Sequence, residues 1–285
     1  VIRYLTVHFG SARWIDIQRR NIERHTHSPH EVWASLDEVE PGYEDRFDVA
    51  MSLEGGHGEK LNEMARRACE VSAPDDVLIF IDGDAFPIED VTAMLERRLP
   101  EFPLIAARRL ENLGDPQPHP CFAVTTAGFW RSIDGDWSKG GRGWRNRIGR
   151  NRKDVGGRIL NALEDKKIAW LPLDRSNRRN VHPVLFGVYG DLVYHHGAAF
   201  RATYTSYDIW RAERLISFLR IPGAKTRQGL GGALIAKRRD RRIARNQRDS
   251  ERIYAEIERD DDYIERFFLK RQADEQRVIL RRDST

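Results

Sequence analysis

The chain has 285 residues, 40% hydrophobic and 32% charged, with a formal net charge of +4. That suffices for one large domain or a domain with an appendage. It gives no global nucleic-acid signature, so no nucleic-acid partner is expected and any basic surface is local. No apolar run approaches the roughly 18 residues of a membrane span. No signal peptide, internal repeat or low-complexity tract is visible. The two cysteines, Cys69 and Cys121, form no framework. Both read as small core hydrophobes of a reducing compartment, which points to the cytoplasm.

Residues 3–9 alternate as a first strand, and Gly10 and Ser11 break it, with Ser11 as cap for the next helix. Trp14, Ile15, Ile17 and Ile22 then fall at helical spacings over 12–25. Residues 31–36 read as a second strand ending at Asp37, which makes a strand–helix–strand unit and the start of a parallel sheet. A weak strand covers 45–51, and Gly55-Gly56-His57-Gly58 reads as a flexible turn. Leu61, Met64, Ala65 and Ala68 define a helix over 59–72. A strand follows at 77–82, a helix around Val91, Met94 and Leu95, and strands at 103–107 and 121–126.

Residues 134–153 are rich in Gly and Arg, with Trp137 and Trp144 interleaved. They predict a coreless, mobile loop that could close over a diphosphate. Asp154 is placed as the cap of a helix carrying Val155, Ile159, Leu160 and Leu163. Strands at 168–173 and 191–195 complete the α/β part. Beyond about 205 the pattern is helical only: an amphipathic helix at 208–220, a basic run at 237–248, and a last helix at 249–272. The division is therefore 1–204, an α/β catalytic-type domain, and 205–285, a helical and partly basic extension. For the basic run the alternatives are a solvated helix face and a peripheral contact with anionic lipid at the inner membrane face.

The most informative stretch is Val77 to Pro87. An unbroken apolar strand, Val77-Leu78-Ile79-Phe80-Ile81, runs into Asp82-Gly83-Asp84. Such a run reads as a strand buried on both faces. Alternation points both carboxylates the same way, at the strand end where open α/β sheets bind ligands. Paired carboxylates suit a hard divalent cation, and the cation suits a phosphate. Asp134-Gly135-Asp136 repeats the letters without the strand and carries little weight as a metal site. An apolar strand into Asp-x-Asp also opens haloacid-dehalogenase-type phosphatases. That pattern sits on the first strand and has Thr or Val where this chain has Phe86.

These features together resemble a GT-A-type nucleotide-sugar glycosyltransferase: the first strand into His8-Phe9-Gly10-Ser11, the second ending at Asp37, and His57-Gly58-Glu59-Lys60-Leu61-Asn62 before a helix. To these add Asp82-Gly83-Asp84, the Asp154 helix and Tyr194-His195-His196-Gly197. The resemblance covers about 1–200 and implies a Rossmann-like GT-A sheet flanked by helices. It implies that His8, Phe9, Gly10 and Asp37 contact the donor's base and ribose, and that Lys60 or Asn62 lies near the ribose or diphosphate. Asp84 would bind the metal, Asp82 with Gly83 would hold ribose or a metal water, and His195 or His196 would complete the metal site. Asp154 is the implied base, with Asp115 and Glu111 as substitutes.

The chemistry fits those residue types independently. Breaking a sugar–phosphate bond leaves charge on a nucleoside diphosphate, which Mn2+ or Mg2+ stabilises. Imidazole with carboxylate tilts the choice towards Mn2+. The attacking acceptor hydroxyl needs a base, which in an inverting reaction is one carboxylate. The expected partners are a nucleotide-diphosphate sugar and a glycan or lipid-linked acceptor. Three other readings compete. A sugar-nucleotide pyrophosphorylase expects a Gly-rich, Arg-containing loop after strand one, of which residues 8–13 are a poor version. The second is the phosphatase. The third, a non-enzymatic RNA- or membrane-binding module, rests on 237–248 alone.

Overall fold

A computed structural model describes residues 1–141, 143–146, 149–199, 203, 205–218 and 229–269. The first half alternates as the sequence predicts. Strand β1 (Ile2–Phe9) leads to α1 (Ile15–His25), β2 (His30–Asp37), β3 (Val49–Met51), α2 (His57–Val71) and β4 (Val77–Asp82). Then come β5 (Ala85–Pro87), α3 (Val91–Arg98), β6 (Leu104–Arg108), β7 (Pro118–Thr126) and α4 (Ala127–Ser132). The remaining elements are β8 (Trp144–Arg145), β9 (Asn151–Arg152), α5 (Gly157–Asp165), β10 (Leu171–Asp174), β11 (Gly187–Tyr189) and β12 (Val193–His195). Helices α6 (Ser206–Phe218) and α7 (Gly229–Arg259) and a π-helical turn (Glu265–Leu269) follow.

Seven strands form a mixed sheet in the order β10-β6-β7-β4-β1-β2-β3. The β3, β2, β1 and β4 pairings are parallel, whereas β7 runs antiparallel to both β4 and β6. Alternation along the central strands splits the interior into two cores. Tyr4, Ile79 and Ile81 face α1 and α3, while Leu5, Leu78 and Phe80 face α2, α4 and α5. Burial on both faces is why β4 reads as a continuous apolar run. The fold is α/β.

A second, three-stranded sheet in the order β11-β12-β5 branches off where β4 ends. It packs with Trp14, just before α1, and Ile17 of α1 against Ile253, Tyr254 and Ile257 of α7 and Phe268 of the π-helical turn, forming a third core. Helix α7 and the π-helical turn therefore buttress the small sheet. No helix among the described residues is long and apolar enough to cross a membrane.

Several local expectations change. The basic run and the first part of the expected last helix are one 31-residue helix, α7, which ends at Arg259; a separate π-helical turn follows at Glu265–Leu269, and residues 270–272 of that expectation lie outside the described residues. So do 219–220 of the helix expected at 208–220. Ser11 does not cap α1; its Oγ accepts from Arg13 N, and α1 starts after Trp14 without a side-chain cap. Gly55 to Gly58 is not simply a turn, because α2 begins at His57 with Glu59 accepting from Gly56 N. Asp154 does not cap α5 either: Gly156, at φ +88°, occupies that position, and a Cβ there would meet Pro118 O. Asp154 instead accepts from Val155 N in the turn before the helix. Cys121 is buried in the core, but Cys69 is only partly so.

The Gly/Arg segment departs most. It carries the β8–β9 hairpin, and Trp137 is fully buried, packed on Phe80 and Trp130 at ring-centroid distances of 5.2 and 5.8 Å. It runs so close to α2 that a Cβ on Gly58 would lie 2.2 Å from Trp137 O. Its first part is therefore pinned and supplies core. Arg142, Arg147 and Ile148 lie outside the described residues.

Candidate active site

The Asp82-Gly83-Asp84 turn is the joint between the two sheets. β4 ends at Asp82 and β5 begins at Ala85. β12 pairs antiparallel with β5, in a register that sets His195 opposite Ala85. That pairing brings a histidine 111 positions downstream against both carboxylates, with Nε2 lying 3.3 Å from Asp82 Oδ2 and 3.4 Å from Asp84 Oδ1. One ligand atom from each of Asp82, Asp84 and His195 lies within 4.8 Å of the others. Gly83 is needed at the joint: a Cβ there would come within 2.6 Å of Val7 O and 2.9 Å of His8 Nδ1.

The Asp84 carboxylate is fixed from behind, accepting from Gly197 N at 2.9 Å and Ala199 N at 3.3 Å. Burial by itself raises its carboxyl; His195 beside it outweighs burial and holds it below the ordinary value. Burial likewise opposes ionisation of Asp82, but His57, His195 and His119 together keep it far below the usual carboxylate range. His57 Nε2 is 2.9 Å from Asp82 Oδ1. Enclosure disfavours the His57 cation, and Asp82 more than offsets this, so His57 titrates above its ordinary value. A pair of ionised carboxylates with an imidazole, framed by further histidines, is a donor set that fits a divalent cation.

The joint forms the floor of a cavity of about 630 Å3. Its walls include Phe9, Asp37, Lys60, Asp82, Gly83, Asp84, Asp154 and His195, all of which the sequence singles out. Lys60 and Asp37 form an ion pair there. The carboxyl ends of β1, β2 and β4 thus meet around one space, as open α/β sheets arrange their ligand crevices.

Four other expected contacts do not lie on that wall. His8 is fully buried behind Gly83, its Nε2 3.1 Å from Gln18 Oε1, and burial lowers it to about 4. Gly10 is exposed and donates its N–H to Asp37 O without lining the cavity itself. Asn62 is turned towards Asp136, Ser138 and Trp137 N, and holds the Gly/Arg segment. His196, the alternative metal ligand, faces the opposite side of β12. Its Nδ1 is 2.9 Å from Tyr194 OH and its Nε2 2.7 Å from Ser250 Oγ, with Trp14 against the ring. Burial lowers it to about 3. Neighbours on a strand face opposite ways, and β12 gives the cavity His195.

Of the substitute bases, Glu111 accepts from Tyr189 OH and is not on the wall. Asp115 is buried, accepting from Gln117 N and Nε2. Burial pushes its carboxyl up to about 6, with Asp154 adding to the rise.

His57, quoted above only within its motif, and Arg109 and His119, which no motif includes, also line the cavity. Arg109 is 3% exposed. Among the described residues its guanidinium has only distant partners: His119 Nε2 at 3.4 Å, Val184 O at 3.5 Å and Glu111 at 3.7 Å. The β6–β7 register shifts between Ala106 and Ala107, next to the pair that sets Ala107 opposite His119. Such a bulge re-aims side chains. The one signal in the sequence was Pro118-His119-Pro120, an unusual start for a strand.

No protein-family model and no curated protein matches the chain. Among solved structures it is similar to TarS of S. aureus, at 11% identity and a TM-score of 0.37, over 48% of this chain and 30% of that one. It is also similar to the galactosyltransferase LgtC in complex with donor and acceptor sugar analogs, at 11% identity and a TM-score of 0.34, over 56% of this chain and 70% of that one. A third is A197 from STIV, at 12% identity and a TM-score of 0.36, over 70% of this chain and 96% of that one. The chain thus spans less than a third of TarS, and half of its 1–349 piece. Likenesses this distant carry no argument about activity, which has to rest on the cavity itself.

Proposed function

We propose that the protein is a glycosyltransferase of the GT-A type, moving a sugar from a nucleotide-diphosphate donor to a hydroxyl of a glycan or lipid-linked acceptor. The observation that carries this reading is the convergence of Asp82, Asp84 and His195 at the floor of a cavity that also holds Asp37, Lys60 and Asp154. Residues 1–204 are then the catalytic domain and 205–285 its helical extension. The setting is the cytoplasm, with peripheral contact at the inner membrane face through 237–248.

Asp82, Asp84 and His195 would hold Mn2+ or Mg2+, which when bound supplies Lewis-acid stabilisation of the departing nucleoside diphosphate. The protein's own groups do the rest. Phe9 offers an apolar face at the cavity edge for the base. Asp37 accepts from ribose hydroxyls, and Lys60 holds that carboxylate while adding positive charge. Arg109, buried and weakly paired, places a fixed cation beside the developing phosphate charge. His57 orients Asp82 from the rim.

Asp154, partly buried on the same wall, takes the proton from the acceptor hydroxyl. As that oxygen bonds to the anomeric carbon, the sugar–phosphate bond breaks and its electron pair leaves on the diphosphate. One displacement of this kind inverts the configuration.

The test is hydrolysis of, and transfer from, a panel of nucleotide sugars with Mn2+ and with chelator. Metal-dependent turnover of at least one donor is expected, and none with any donor would sink the assignment. Asp154→Asn should keep donor affinity and lose roughly 100- to 10,000-fold in transfer, the range of a general base. Lost donor binding would instead make Asp154 structural.

A further inference from the structure

A second concavity, of about 270 Å3, opens between α6 and α7. Arg238, Arg241, Arg242 and Arg245 lie at i, i+3, i+4 and i+7, so one face of α7 turns four guanidinium groups towards Arg211 of α6. Among the described residues, the single carboxylate lining this basin is Asp208. It is 3% exposed and almost fully committed. Thr205 N and Oγ1 donate to its Oδ2 at 3.0 and 2.9 Å, and His182 Nε2 lies 3.3 Å from its Oδ1. Arg242 Nε is 3.4 Å from the same Oδ1. Arg245 reaches Asp249 only at 3.7 Å.

Five arginines against one carboxylate leave a concentrated positive charge. A solvated helix face would spread such charges outward, and like charges at these spacings weaken a helix. Here they converge on a recess, as guanidinium groups do around phosphate. The recess also adjoins the main cavity. Thr205 lines that cavity while it holds Asp208, and His182, another partner of Asp208, accepts from the N–H of Val184, also on the cavity wall.

We propose that the basin between α6 and α7 is a phosphate-oxyanion site. Its occupant is a phosphate carried by the acceptor; that part rests on the glycosyltransferase reading, and the site itself does not. The phosphate could belong to a soluble phosphate ester or to a lipid headgroup. Both present the same oxyanion to the same arginines.

Inorganic pyrophosphate, titrated by calorimetry in the presence of chelator, tests the site apart from any metal-dependent donor binding. Arg238 and Arg241 are exposed, so Arg238→Gln with Arg241→Gln should leave folding intact. The double variant should bind pyrophosphate at least roughly 10-fold more weakly, given the strength of charged hydrogen bonds. Lys237→Gln with Arg239→Gln removes equal charge from positions outside the basin and should change nothing, as should Asp84→Ala. Failure of wild type to bind, or equal binding by the double variant, overturns the site.

Two further arms separate the sources. Displacement of pyrophosphate by glycerol phosphate assigns a soluble ester. Sedimentation with vesicles of phosphatidylcholine and phosphatidylglycerol in equal parts, dependent on the same two arginines and not competed by glycerol phosphate, assigns a headgroup. Either result upholds the oxyanion site, and neither bears on whether Asp84 supports metal-dependent donor binding.

Discussion

The chain contains Asp-Gly-Asp twice, and the copies have opposite fates. Asp82-Gly83-Asp84 joins two sheets at the floor of the large cavity, and its carboxylates face His195. Asp134-Gly135-Asp136 follows α4, with Asp134 at φ +48° and Gly135 so close to Trp130 that a Cβ would lie 2.3 Å from its ring. Asp136 accepts from Asn62 Nδ2 and Ser138 N, both at 2.6 Å, and lies 3.3 Å from Arg158 Nε. Its oxygens are spent holding the segment that delivers Trp137 to the core. A carboxylate pair becomes a site where a buried strand carries it to a cavity and its oxygens are left to face a ligand. The same letters become a fastener where nearby donors consume them.

The contrast predicts that damage around the second copy appears as stability and damage to the first as ligand binding. The largest stability effect is expected from Trp137→Ala, a loss of about 3–5 kcal/mol in denaturant unfolding, because the ring is fully buried against Phe80 and Trp130. A cost below about 1 kcal/mol would mean that the segment does not contribute core. Asp115 comes next. Its folded carboxyl is raised to about 6, so the stability it contributes is present below its unfolded value near 3.9 and is lost as pH rises through about 6. Asp115→Asn should therefore gain on wild type between about pH 4 and 7, by at most ~3 kcal/mol. A difference in stability that does not vary with pH would contradict the buried setting of that carboxyl. Asp136→Ala is the smallest, about 1–3 kcal/mol from orphaned donors, with no change in nucleotide affinity.

What the sequence reveals and hides follows from the same contrast. α2 is legible because it buries one face with the helical period, and β1 and β4 because they are short, largely apolar runs buried on both faces; Asp82 and Asp84 are legible because they follow such a strand. His195 is legible as a residue type, but its selection over His196 depends on the β5–β12 register. Arg109 leaves no local pattern, and Pro118-His119-Pro120 marks His119 only as part of an unusual strand start, since a register shift between two antiparallel strands aims both. Trp137 is hidden because its neighbours are glycines and charges; only Asn62 and Gly58 of α2, far away in sequence, make its burial feasible. In sequence the arginines of α7 fit a solvated face or a lipid contact equally, until α6 supplies the opposite wall of a basin.

The most direct measurement is the thermal shift produced by a panel of nucleoside diphosphates, with Mn2+ and with chelator, in wild type, Asp84→Ala and Asp136→Ala. At least one nucleoside diphosphate should raise the Tm of wild type only when metal is present. By ligand linkage the rise is equivalent to about 2.7 kcal/mol at a hundredfold excess over Kd. Asp136→Ala should start from a lower Tm and show the same rise, and Asp84→Ala should show none. If wild type shows no metal-dependent rise with any nucleoside diphosphate, or if Asp84→Ala keeps one, the first Asp-Gly-Asp is not the metal and diphosphate site.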